Sequence, residues 1–173
     1  MTTQKLAVKV DERSESQARS QFESIKDMVS HLEHTQVCQD AGCNLPDAGI
    51  YAGLGLYYKK HHPTHGRKAT EQMREEYHNR ENTEQHIHED PLSVEVRSDW
   101  HTPGSESREG EYRILLCTGG PACRIIGQLS QYSEPETARI EHQDWGTPWT
   151  EYRLDSDEEK IVLTYARQFY FSN

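Results

Sequence analysis

Apolar residues recur near the start of this chain at spacings of three and four. Ala18, Phe22, Ile25, Val29 and Leu32 therefore share one face of a helix expected over residues 14–34. Ser14 or Ser16 can cap its start, and His31 and His34 fall in its last turn, where a cation suits the helix dipole. Residues 36–49 carry the Gly, Pro, Asn and Asp content of a loop. Asp47 can cap a second helix through residue 62, with Ile50, Tyr51, Leu54, Tyr57 and Tyr58 on one face. Gly49, Gly53 and Gly55 weaken that helix or let it pack closely against a neighbour. Pro63 ends it. A third helix, long and polar, is expected over residues 67–89, where Ala69, Met73, Tyr77 and Arg80 mark a narrow stripe.

Past Pro91 the period changes to two. Leu92, Val94 and Val96 alternate with Ser93, Glu95 and Arg97, the pattern of a half-buried strand. The densest apolar cluster follows, in the runs Ile114–Cys117 and Ala122–Ile126. They flank Thr118-Gly119-Gly120-Pro121 and read as a hairpin at the centre of a sheet. Ile140 alternates with Arg139 and Glu141 in a further strand over residues 138–145. Strands so close in sequence favour an antiparallel meander. In the tail, Ser156 stands three residues before Glu159, the spacing of a capping box. Val162, Tyr165, Ala166, Phe169 and Tyr170 then share a helical face, although the Ile, Val, Thr and Tyr content also suits a strand. The expected fold is α+β: N-terminal helices, an antiparallel sheet of about four strands and a C-terminal helix. Residues 14–173 are expected to form one domain, helical over 14–90 and sheet plus helix over 91–173, behind a disordered stretch at 1–13.

Composition changes this picture in three ways. Only 33% of the 173 residues are hydrophobic and the mean hydropathy is -0.97, so the core is thin and the surface heavily charged. Aromatics at 9%, with the periodic segments, argue against disorder beyond the N-terminus. Nothing approaches the ~20 apolar residues of a membrane-spanning helix, and the N-terminal residues lack the apolar core of a secretory leader. A cytoplasmic protein is expected, with Cys38, Cys43, Cys117 and Cys123 as free thiols.

The formal net charge of -10 disfavours a broad phosphate-binding surface, so no direct nucleic-acid binding is expected. Acids concentrate between Glu71 and Asp90 and between Glu134 and Glu159. Such a face confers solubility, or it steers toward a basic groove that otherwise holds nucleic acid.

Candidate chemistry is sparse. His31, His34, Cys38 and Cys43 offer four zinc ligands, but the histidines precede the cysteines, the reverse of the usual finger order. Helix-terminal histidines and small apolar cysteines are the competing account. Cys117 and Cys123 flank a turn without a Cys/His signature, and Thr118-Gly119-Gly120 lacks the ending of a phosphate loop. Two segments echo each other: Asp99-Trp100-His101-Thr102-Pro103-Gly104 and Asp144-Trp145-Gly146-Thr147-Pro148-Trp149. They are two similar strand exits, or a paired aromatic and acidic patch at one sheet edge. In the second case Trp100, Asp144, Trp145, Trp149 and Tyr152, with Glu158 and Glu159, are the candidate partner-binding residues.

The strings EDPLSVEVRSDW, RILLCTGGPACRI and IEHQDWGTPWTEY resemble segments of a family of small phage, prophage and plasmid-borne proteins. The resemblance covers residues 67–171 and transfers no catalytic chemistry. It implies an accessory protein of a mobile element, and such proteins are often inhibitors of host defence, including anti-CRISPR and anti-restriction proteins. The leading expectation is therefore a non-enzymatic inhibitor of a host protein or ribonucleoprotein complex. A metal-dependent hydrolase or nuclease using His, Asp and Glu is the alternative, and an adaptor that homodimerises through the second helix is a third.

Overall fold

The structure, a computed structural model, describes residues 2–41, 75, 77–98, 100–104 and 109–172. The chain divides into two compact units, Met1–Lys26 with Ile87–Asn173, and Asp27–His86. The expected second helix, and the part of the third before residue 75, lie outside the described residues. The fold is α+β, with α1 (Thr2–Ala41) and α2 (Arg80–Glu89), then five strands, then α3 (Ser156–Ala166). α1 is longer at both ends than its apolar spacing shows, and its backbone runs through the stretch 2–13 that composition assigned to disorder.

The first unit is built on one antiparallel sheet in the order β1-β2-β3-β4-β5. Its strands are β1 (Ser93–Ser98), β2 (Glu109–Cys117), β3 (Ala122–Gln128), β4 (Arg139–Gln143) and β5 (Thr150–Tyr152). The expected count of about four strands is exceeded by β5, which at three residues is too short to show a period. Register places Ile114 opposite Ile125, and Ile125 opposite Ile140. These three side chains are fully buried, each contributing roughly 1.5–3 kcal/mol of apolar burial. Tyr112, Leu116 and Cys123 point to the same inner face.

Helices cover that face. On α1, Ala18, Phe22 and Ile25 are buried, as the spacing predicted. The Phe22 ring lies 6.5 Å from that of Tyr152, and buried Ser14 and His142 hydrogen-bond at 2.9 Å. On α3, Val162, Tyr165 and Ala166 are buried. The cap of α3 falls one residue earlier than expected. Asp155, not Ser156, accepts the N–H groups of Asp157 and Glu158, while the Glu158 carboxylate accepts the N–H of Asp155. The helix ends at Ala166, so the helical face does not continue to Tyr170. Tyr170 is exposed, and Phe171 is buried instead, 4.8 Å from the Tyr112 ring.

Two local irregularities shape the sheet. At Gly127 an added Cβ would collide with the Thr137 carbonyl oxygen and stand 2.7 Å from the Tyr112 ring. The missing side chain lets Tyr112 lie across β3 and donate its hydroxyl to Thr137 O at 2.7 Å. The β2–β3 register shifts between Leu115 and Cys117. Leu116 is the extra residue of a bulge, so Cys117 and Cys123 stand directly opposite each other as free thiols.

On the edge strand β1, Val94 and Val96, like Leu92 just before it, are more exposed than a half-buried strand requires.

Within the second unit, Val29, Leu32, Tyr77 and the polar pair Thr35 and Thr83 are buried. The third helix is interrupted at Asn79, whose Oδ1 accepts the Asn82 N–H and so caps α2.

Candidate functional site: an acidic sheet edge and an arginine-lined sheet face

Strand register decides where the aromatic candidates fall. β1 closes with Ser98 opposite Glu109, at the end of β2 remote from the hairpin turn, and Trp100 follows it. β4 closes with Gln143 opposite Ala122, beside that turn, and Trp145 follows it. The two echoing segments therefore lie at opposite ends of the sheet and do not form one patch. Both indoles are exposed. Asp144, expected in an aromatic and acidic patch, is instead buried and organises its own turn. Its carboxylate accepts the Trp145 N–H at 2.7 Å, and its N–H donates to Thr147 Oγ1 at 3.0 Å. The Trp145 indole occupies the space a side chain at Gly120 would need.

Trp149 is half-buried with the Arg124 guanidinium 4.0 Å above its ring, a cation–π pair. Glu159 is exposed in the first turn of α3.

Tyr152 and Glu158 do come together, and α1 adds to them. The half-buried Tyr152 phenol on the edge strand β5 has a raised pKa, mainly through burial. Arg19 opposes the shift, and Glu158, Glu15 and Glu23 reinforce it, so all four charges lie within electrostatic reach of one hydroxyl. Glu15 and Glu23 are exposed on α1, and Glu151 is exposed on β5. The result is an acidic edge around an aromatic centre. The α1 acids carry no signal of their own in the sequence, because they lie off the apolar stripe that marks the helix.

The outer face of the same sheet carries a second feature, which sequence reading did not isolate. Arg97, Arg113, Arg124 and Arg139 project there among Glu95, Glu111 and Glu141, around a cavity of about 390 Å³. Arg97 pairs with Glu111, and Arg113 with Glu95. Hydrogen bonds from those arginines hold the Glu95 and Glu111 carboxyls below the usual range. Glu141 accepts from Arg124 at 2.7 Å and from Arg139 at 3.1 Å. The signal was present as Glu95-x-Arg97, Glu111-x-Arg113 and Arg139-x-Glu141, each a charge pair on alternate strand positions. Only the register shows that the three pairs share one face.

Of the zinc candidates, only the two histidines have described side chains, and both lie against Tyr77. The His31 ring stacks on Tyr77 with centroids 4.1 Å apart, and its Nε2 donates to the Tyr77 carbonyl at 2.7 Å. Burial is the largest cause of its lowered pKa. His34 lies against Tyr77 and His78. The Cys38 side chain and Cys43 lie outside the described residues. Among the described residues no group of three or more His, Cys, Asp or Glu is placed to hold a metal ion. The Cys123 thiol is pushed up to about 12, chiefly by burial, with Cys117 adding to the shift. No helix among the described residues is long and apolar enough to cross a membrane.

Comparisons of the chain with protein-family models, curated proteins and solved structures return no match.

Proposed function

We propose that this chain is a binding protein that blocks a host nucleic-acid-handling defence complex by occupying one of its basic surfaces. The observation that carries the reading is the packing of α1 beside β5, with the Phe22 ring 6.5 Å from that of Tyr152, which brings the exposed Glu15 and Glu23, along with Arg19, within electrostatic reach of Tyr152 as Glu158 is. Carboxylates on rigid elements around an aromatic anchor complement arginines and lysines that otherwise grip phosphate. The cap that ties Glu158 to the backbone of Asp155 fixes part of that charge before any partner arrives. The resemblance of residues 67–171 to mobile-element proteins supplies the biological setting.

The test is a defence assay in bacteria carrying a CRISPR or restriction system. Expression of the chain is expected to restore plating of a targeted phage, and a Glu15→Lys, Glu23→Lys double variant is expected to lose that effect while accumulating normally. Equal protection by parent and variant would remove the acidic edge from the account.

A further inference from the structure

On the outer sheet face, register sets the side chains in rows across the strands. One row runs Glu95, Arg113, Ile126, Arg139. Ile126 is thus an aliphatic floor with an arginine on the strand to either side. Neighbouring strands lie about 4.8 Å apart, so the Cα atoms of Arg113 and Arg139 are separated by about 10 Å. The adjoining row brings Arg97, Glu111 and Gln128 to the same cavity. Its volume of about 390 Å³ lies within the range of small-molecule sites, about 300–1,000 Å³.

Charge favours an anion there. Four arginines and two acids, Glu95 and Glu111, line the cavity; beside it Glu141 accepts from both Arg124 and Arg139, and Glu151 stands opposite Glu141 on the same face. Arg124 is held under Trp149 and largely covered, whereas Arg97, Arg113 and Arg139 are exposed. Arg97, Arg113 and Arg139 each meet their carboxylate through a single nitrogen. A guanidinium has five N–H donors, so these pairs set each arginine's posture while leaving donors to aim into the cavity. In a chain of net charge -10, this is a cavity whose immediate lining holds twice as many arginines as acids, on paired strands.

We infer that this cavity binds a small organic dianion: two carboxylates or two phosphates joined by an apolar middle. Arg113 and Arg139 each take one acid group, and Ile126 supports the spacer between them. The inference rests on the sheet face alone and stands apart from the acidic edge.

The test is an NMR titration of the ¹⁵N-labelled chain with suberate and with hexanediol bisphosphate, against octanoate as the one-acid control. At least one dianion is expected to produce saturable shifts confined to β2, β3 and β4, with affinity at least about tenfold above octanoate. Whichever dianion saturates at lower concentration identifies the acid group. Arg113→Gln and Arg139→Gln are each expected to weaken binding about tenfold. Both positions are exposed, so thermal unfolding should change little. Absence of saturable shifts with both dianions overturns the inference, as does equal affinity for octanoate or indifference to both substitutions in folded variants.

Discussion

The Tyr165 hydroxyl donates to the Asp90 carboxylate at 2.6 Å, joining residues 75 positions apart in the chain. Burial pushes the Asp90 carboxyl above its usual range, and the bond from Tyr165 only partly offsets this. The pair closes α3 onto the start of the sheet with a charged group that would otherwise be hydrated. Replacing Tyr165 by Phe leaves that carboxylate without its donor and should cost about 1–3 kcal/mol. Chemical denaturation of Y165F at neutral pH checks this.

The same pair predicts a pH dependence. Because its pKa is raised on folding, Asp90 binds its proton more tightly in the folded chain. Its contribution to stability is therefore present below the ordinary carboxylate range and is lost as pH rises through the raised value. Asp90→Asn keeps an oxygen for Tyr165 and removes the charge. The variant should gain on the parent as pH is raised from about 4 to about 7, and melting temperatures across that interval measure the difference. A constant difference would contradict the assignment.

Two glycines should respond differently to the same substitution. At Gly127 the added methyl meets a backbone carbonyl and the buried Tyr112 ring, neither of which can move aside. At Gly120 it meets the exposed Trp145 indole, which can swing into solvent, and stands 2.7 Å from an oxygen of the buried Asp144 carboxylate, a side-chain tip that has only to rotate slightly. Gly127→Ala should therefore cost about 3 kcal/mol or more, and Gly120→Ala about 1 kcal/mol. Equal losses would show that Trp145 is more firmly seated than its exposure indicates.

Asp155 is a strong cap because its carboxylate receives two N–H groups at 2.9 Å each. Asp155→Ala should cost about 1 kcal/mol, and Ser156→Ala much less. Thermal unfolding of the two variants distinguishes this cap from the one the sequence spacing suggested.

Much of the fold was legible because apolar periodicity reports burial directly. The stripe on α1, the hairpin around Gly119-Gly120 and the antiparallel arrangement all appear in the structure. β5 escaped because three residues carry no period. The exit of the chain after Ala166 escaped because Phe169 and Tyr170 continue a helical spacing that the backbone abandons. The candidate site was less legible. Aromatic echoes suggested proximity between Trp100 and Trp145, but local similarity says nothing about which end of a sheet a strand exits. The arginine face is a property of register between strands, and no single segment contains it.

The most direct measurement for the binding account is capture of the tagged chain's partners from nuclease-treated bacterial lysates carrying defence systems, in a salt series. The parent and the Glu15→Lys, Glu23→Lys variant would be compared side by side. The account predicts a nuclease-resistant protein partner whose retention falls steeply with salt, and whose capture by the variant is weaker and less salt-dependent. Retention that ignores both salt and charge reversal would contradict the acidic edge as the binding surface.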